Sequence, residues 1–162
     1  MNRVFGHIEG VFEGQVFNNR LELSSIGVHR PIQAGISGSQ NEGADSIVIS
    51  GGYEDDEDYG DVIIYTGQGG QENGRQVADQ RLTRGNAALA VNVETGRPVR
   101  VTRGANHRSE FSPSTGYRYA GLYRVADYWQ ESGKSGFRIF RYRLERIQEA
   151  ATPLHGQKLL GI

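Results

Sequence analysis

The apolar residues of this chain come in short β-branched runs closed by glycine, a pattern that leaves a sheet as the main way to bury them. Residues 46–50 read SIVIS and residues 62–66 read VIIYT, both bounded by Gly and Asp. β-Branched side chains are stiff at χ1 and pack well on a pleated surface, so both runs predict strands. RPVRVTRG (97–104) alternates Val with Arg, which predicts a half-buried strand with one polar face. GLYRVADYWQ (121–130) and GFRIFRYRLERI (136–147) predict two more strands, with ESGKSG between them as a hairpin turn. In the last run the alternation slips once, between Ile139 and Phe140, which predicts a β-bulge there. The 23 glycines are scattered rather than tandem, as many tight turns between short strands require.

One segment has a helical character. In QVADQRLTRGNAALAVNVETG (76–96), Val77, Leu82, Leu89 and the alanines can line one face, and Gly85 is expected to break the helix into two pieces. Residues 24–46 are turn-rich and predict a loop with one or two extended pieces, and residues 148–162 lose the pattern and read as a tail or linker. The fold class expected is therefore α+β, mainly β: a curved sheet or partial β-barrel with one or two helices packed against it, in a single domain over residues 1–147.

Composition removes several chemistries. There is no cysteine, so disulfides, thiolate metal sites and the zinc deaminase ligand set are excluded. No apolar run approaches the ~20 residues of a membrane-spanning helix, and MNRVFGHIEG lacks the apolar region of a signal peptide. A soluble cytoplasmic protein with no membrane partner is expected. The histidines, His7, His29, His107 and His155, are far apart in sequence, and neither Lys134 nor Lys158 has an acid two residues before it, as a common nuclease motif needs. GISGS (35–39) has Ser and Gly in the wrong order for a nucleophile elbow. No catalytic residue, metal or cofactor is expected.

Charge is unevenly placed. Glu54, Asp55, Asp56, Glu57, Asp58 and Asp61 are six of the nineteen acids, and no base lies among them. All of the eighteen bases except Lys134 and Lys158 are arginines, whose planar fork of donors suits phosphates and base edges. Aligned on Gly60, the acidic loop fails the EF-hand pattern, because Tyr59 and Thr66 fall on ligand positions, although a looser oxygen site stays open. The loop also offers the parts of a base cage. Tyr53 and Tyr65 can sandwich a flat ring, a carboxylate between them can accept from the N4 amino group of cytosine, and glycines let the backbone approach a ligand closely. From chemistry alone the cage is one option among several, since a tyrosine in a strand is usually packing and an acidic run is usually a solvated loop.

Six blocks in one order extend over roughly residues 5–147: GVHRP (27–31), AGISGSQNEGADSIVISGGYEDDEDYGD (34–61), YTGQGG (65–70), DQRLTRGNAALAVN (79–92), GRPVRVTRG (96–104) and GKSGFRIFRY (133–142). Together they resemble the SRA (SET- and RING-associated, or YDG) domain, a PUA-like fold whose members read DNA by flipping 5-methylcytosine out of the duplex. The resemblance implies a base-binding pocket made of Ser50, Gly51, Gly52, Tyr53, Asp56, Tyr65, Thr66, Gly67 and Gln68. In it Tyr53 and Tyr65 would stack on the base, Asp56 would take the N4 hydrogen, and backbone groups of Ser50, Gly51 and Thr66 would read the rest of the edge. Gly67 and Gln68 would lie near the 5-substituent, with 5-hydroxymethylcytosine as an alternative mark. The neighbouring acids are expected to stay solvated. QAGI matches the loop that enters the minor groove, so Gln33, Ala34 and Gly35 are expected in the groove, with phosphate contacts from Arg20 and Arg30.

Two departures stand out. GGQENGRQVADQ (69–80) is shorter than the corresponding finger of the vertebrate ubiquitin-ligase member, which leaves Asn73 and Arg75 to reach the groove and puts a preference for hemimethylated sites in doubt. The Tyr-Asp-Gly signature reads Tyr119-Ala120-Gly121, which predicts a local structural difference with binding retained. The partner implied is double-stranded DNA with a modified cytosine. The compact form resembles bacterial modules that precede a nuclease domain in modification-dependent restriction enzymes, and a free-standing reader or scaffold is the competing architecture. Oligomeric state is left open.

Overall fold

Each β-branched run forms a strand. The computed structural model describes residues 3–51 and 53–148. In chain order the elements are β1 (Val16–Phe17), α1 (Arg20–Ile26), β2 (Ile36–Ser39), β3 (Gly43–Ile49), β4 (Glu57–Asp58), β5 (Val62–Thr66), β6 (Gln71–Glu72), β7 (Arg75–Gln76), α2 (Arg84–Thr95), β8 (Val99–Gly104), a 3₁₀ turn (Ala105–His107), β9 (Tyr117–Ser132) and β10 (Arg138–Arg146). The main sheet runs β2-β3-β8-β9-β10-β5-β4, with β1 added on β9, and it does not close on itself. Every pairing in it is antiparallel except β3 with β8. β6 and β7 form a separate hairpin. The mainly-β α+β class expected from the sequence is the one observed.

Both faces of the sheet centre are covered, which explains why β3 is buried along its whole length. Ile47 and Ile49 face one cluster with Ile63, Tyr65, Leu89, Val99, Val101, Tyr142 and Leu144, under α2. Val48 faces the other, with Val11, Phe17, Leu23, Val28 and Tyr119. β8 corrects the expectation of one polar face open to water: all six of its residues are buried. Arg100 is only 1% exposed; its guanidinium donates to the carbonyls of Val28 (2.9 Å), Val4 (2.7 Å) and Gly6 (2.8 Å) and to Asp45 (2.8 Å). A buried charge is tolerated when it is paired and hydrogen-bonded like this.

The helix differs from its expected span. Only Arg84–Thr95 is helical; Gly85 sits in the first turn and does not split it, while Val77 and Leu82 are exposed. Two asparagines on the packed face explain the difference. Asn92 accepts from the Ala44 amide (2.7 Å) and donates to the Ala44 carbonyl (2.9 Å), and Asn86 does the same for Gln68 (2.8 and 2.9 Å). These clips fix the helix against β3 and against the chain after β5, and residues 77–83 serve as the approach. α1 lies in a stretch given no element from the sequence. Its signals are Asn19, whose side chain accepts from the Glu22 amide, Glu22 reaching back to the Asn18 amide, and Gly27 ending it at φ 91°.

The turn at 131–136 joins β9 to β10 as expected, closed by Gly133 N–H to the Phe137 carbonyl at 2.9 Å. The bulge does not lie between Ile139 and Phe140. The register of β10 with β9 shifts between Arg143 and Leu144. Ile139, Phe140, Arg141 and Tyr142 are all buried because both faces of β10 are covered there, so consecutive apolar residues did not mark a change of phase. The tail expected from 148 onward lies, apart from Gln148, outside the described residues.

Candidate nucleic-acid interface

β3 leads into the loop 50–61 and β5 leads out of it, and the candidate pocket lies at the C-terminal ends of the two strands. Gly51 adopts φ 82°, and a Cβ there would sit 2.3 Å from the Asn106 carbonyl oxygen, so only glycine lets the 3₁₀ turn close over this strand end. The chain then turns, with Asp56 N–H to the Tyr53 carbonyl at 3.3 Å, and the Asp56 Oδ1 accepts from the Thr66 amide at 2.7 Å. That bond orients the carboxylate and leaves it further acceptor capacity. Burial raises the Asp56 pKa to about 6, against the lowering effect of the Thr66 amide.

The two tyrosines differ. Tyr53 is half-buried, and burial together with Asp56 raises its hydroxyl pKa. Tyr65 is 2% exposed and belongs to the main core; burial, then Asp56 and Tyr53, push its hydroxyl well above its usual value. The structure thus brings Tyr53, Asp56, Tyr65 and Thr66 together, with Tyr65 packed into the core. The Thr66 amide, expected to read a base edge, is engaged by Asp56. Gly67 and Gln68 are pinned from α2 and the segment before it. Gly67 donates to the Phe140 carbonyl (2.8 Å) and accepts from Gln80 (2.6 Å), and a Cβ on it would meet Asn86 at 2.7 Å. Gln68 borders a cleft of about 500 Å³ with Arg81, Thr83 and Arg84. Ser50 is exposed and borders another, of about 630 Å³, with Arg20, Ile32, Gln33, Asn106 and Tyr117. Gly52 lies outside the described residues.

The acids around Asp56 divide: Asp55 and the carboxylate of Asp58 are withdrawn from solvent, contrary to expectation, while Glu57 and Asp61 are exposed as expected. Asp55 is buried and accepts from the Lys134 amide at 2.9 Å. Glu54 accepts from the Gln76 amide and the Ser135 hydroxyl, tying the β6–β7 hairpin to the β9–β10 turn. Glu57 pairs with Arg141 at 2.8 Å. Asp58 takes both arms of Arg103 (2.7 and 2.8 Å) and His107 Nε2 (2.9 Å). Burial alone would raise the Asp58 pKa, but these donors and the Arg103 charge hold it well below the usual carboxylate range. Much of the run acts as structural acceptors, and Glu57 and Asp58 are paired with arginines at close range.

The loop after α1 is equally built. Arg20 donates through Nη2 to the carbonyls of Pro31 and Ala34, both at 2.7 Å, and through Nη1 to that of Gln33 at 3.3 Å. The guanidinium expected on a phosphate is thus engaged by three carbonyls of the loop. Arg30 is half-buried, and its carbonyl accepts from the Ser24 hydroxyl. Ile32, Gln33 and Ala34 are exposed, and Gly35 presses on the pocket, its carbonyl 3.3 Å from the Tyr65 hydroxyl. Asn73 and Gly74, at φ 53° and 80°, make the two-residue turn of the β6–β7 hairpin, with Asn73 and Arg75 exposed. Tyr119 is buried in the second cluster, and Ala120 and Gly121 stand where β9 shifts register against β8, with Gly121 at φ 96°.

Sequence reasoning did not assign Gln80, Asn86 or His29. All three are buried and hydrogen-bonded, and no pattern in their own segments sets them apart from the exposed polar residues around them.

Comparison with known proteins gives concordant results. A model of the SAD/SRA domain matches residues 4–150. The E3 ubiquitin-protein ligase UHRF1 of Danio rerio is 42% identical over 92% of this chain, which spans only 22% of that protein's length. Among solved structures, the modification-dependent TagI restriction endonuclease is 47% identical at a TM-score of 0.87, covering 91% of this chain and 54% of its own. The SUVH5 SRA complex with methylated CHH DNA is 41% identical at a TM-score of 0.76, covering 90% of this chain and 95% of its own. The same SUVH5 domain is also described bound to fully hydroxymethylated CG DNA, at 40% identity and a TM-score of 0.77, covering 98% of this chain and 99% of its own.

Proposed function

The chain belongs to the SAD/SRA domain family, and from that premise we propose that it binds double-stranded DNA containing 5-methylcytosine by taking the modified base out of the stack into the pocket at Tyr53, Asp56 and Tyr65. The observation that carries this reading is the Asp56 carboxylate: half-buried, oriented by the Thr66 amide, and beside both tyrosines. An acceptor held in that way suits an exocyclic amino group. Flipping costs a few kcal/mol. Stacking at about 1–3 kcal/mol per base, with hydrogen bonds to the base edge, offsets that cost. Pairing of Asp58 with Arg103 and of Glu57 with Arg141 reduces the repulsion this face offers to phosphates.

Named complexes of SUVH5 with methylated and hydroxymethylated DNA support both marks as ligands. The likeness to TagI supports the further reading that this chain is the targeting part of a modification-dependent endonuclease, with cleavage carried out by a nuclease domain other than this one. The test is fluorescence anisotropy on matched duplexes with C, 5-methyl-C or 5-hydroxymethyl-C at one CG site, at near-physiological salt because phosphate binding is salt-dependent. Tighter binding to a modified duplex is expected, lost in Tyr53→Ala and Asp56→Ala with only weak, salt-sensitive binding left. Equal affinity for all three duplexes overturns the reading.

A further inference from the structure

The loop that carries Gln33 is neither helix nor strand, yet the carbonyls of Pro31, Gln33, Ala34 and Gly35 are all hydrogen-bonded. The carbonyls of Pro31, Gln33 and Ala34 all turn inward to one guanidinium, that of Arg20. Ala34 O takes a second bond, from His29 Nε2 at 2.8 Å. A carbonyl can only accept, so Nε2 carries the hydrogen and Nδ1 accepts from the Ser46 hydroxyl, 2.8 Å away on β3. His29 is fully buried, and burial lowers its pKa to about 4, so it keeps this neutral form at ordinary pH. The next carbonyl, Gly35 O, lies by the Tyr65 hydroxyl. With its carbonyls held inside, the loop shows solvent the side chains of Ile32, 54% exposed, and Gln33.

We propose that Arg20 and His29 form a frame that pre-shapes residues 31–35 as the wedge for base extrusion, which makes Arg20 a positioning residue for flipping and not a phosphate contact. This rests on the base-flipping reading above and assigns it a device. A loop already ordered loses little freedom on entering a groove, and the frame's last link, Tyr65, joins the wedge to the wall of the base pocket.

The test compares the wild-type protein with Arg20→Met on two duplexes, one with the 5-methylcytosine paired with guanine, the other with it opposite an abasic site. The second has no pairing to break and no partner base to support. The expected result is about a tenfold loss on the paired duplex and less than about twofold on the abasic one, since an unframed wedge costs binding only where extrusion is opposed. The slope of log affinity against log salt is expected to stay at the wild-type value. Equal losses on both duplexes, or a slope reduced by about one phosphate, would overturn the frame. Arg20→Lys carries the same test should Arg20→Met fail to fold. It keeps the charge a phosphate contact needs but cannot reach three carbonyls at once, so near wild-type binding to the paired duplex refutes the proposal. If the wild-type protein itself does not distinguish methylated from unmethylated DNA, the flipping reading falls and the frame with it. If the wild type does distinguish them and the variants lose equally on both duplexes, the frame alone falls.

Discussion

Asp56 and Asp58 lie two residues apart and titrate in opposite directions. Burial lifts Asp56 to about pH 6, so the folded chain keeps its proton where the unfolded chain has lost it, and this group's contribution to stability falls as pH rises from about 4 to about 6. Asp58 is held low by His107 and Arg103, so its contribution is present above the ordinary aspartate pKa and is lost as pH falls through it toward the folded value. The binding consequence belongs to Asp56. If its carboxylate accepts from N4, affinity for methylated DNA should drop roughly tenfold between pH 7 and pH 5, beyond any change in binding to unmodified DNA; an anisotropy series across that range with both duplexes checks it. Asp58→Ala should cost about 3–5 kcal/mol of stability, because it leaves Arg103 buried without its partner, and urea denaturation measures that. Gly51→Ala should be destabilised as well, since neither φ 82° nor the Asn106 carbonyl accommodates a Cβ; a thermal melt close to wild type would contradict that close approach. Of these residues, Tyr53 and Tyr65 were legible in the sequence as two rings flanking an acidic run, and only the family resemblance singled out Asp56 within it. The use of Glu54, Asp55, Glu57 and Asp58 was not, because their partners, among them Lys134, Ser135, Arg141 and Arg103, come from elements far along the chain.

Strands were legible where burial demanded β-branched residues, as in β3, covered on both faces, and in β5, which alternates between buried and half-buried positions. They were misjudged where burial took arginine, as in β8, whose polar face is satisfied by carbonyls that only the tertiary fold supplies. α2 was placed too early because Val77 and Leu82 fit an apolar stripe, whereas the residues that seat the helix include the polar Asn86 and Asn92. The contrast is measurable. Leu82→Gln should change stability by no more than about 0.5 kcal/mol, while Leu89→Ala, fully buried under the sheet, should cost about 2–5 kcal/mol; equal effects in urea denaturation would restore the longer helix. α1 passed unnoticed because it is short, and its evidence is in its caps, not in periodicity. The loop 31–35 was legible as a motif only, since nothing in its own residues shows that Arg20 closes it.

One interaction binds the N-terminal end of the described chain to the middle of the sheet. Arg100, on β8, holds the carbonyls of Val4 and Gly6 as well as Asp45 on β3, so Arg100→Met should loosen the N-terminal segment, strip those buried carbonyls of their donor and leave Asp45 with Arg3 as its charged partner. A loss of about 3–5 kcal/mol, seen in denaturation together with faster hydrogen exchange in residues 3–8, is expected. The strand order carries a consequence of another kind. β5, which bears Tyr65, pairs with β4 on one side and with β10 on the other, and through β10 alone it joins the rest of the sheet. During synthesis β5 leaves the ribosome well before β10 exists, so Ile63 and Tyr65 have no sheet to join until Arg138–Arg146 has emerged. The part of the molecule that would read the DNA mark is therefore the last to close, and a chain stalled before that strand would carry an exposed apolar edge in place of a pocket.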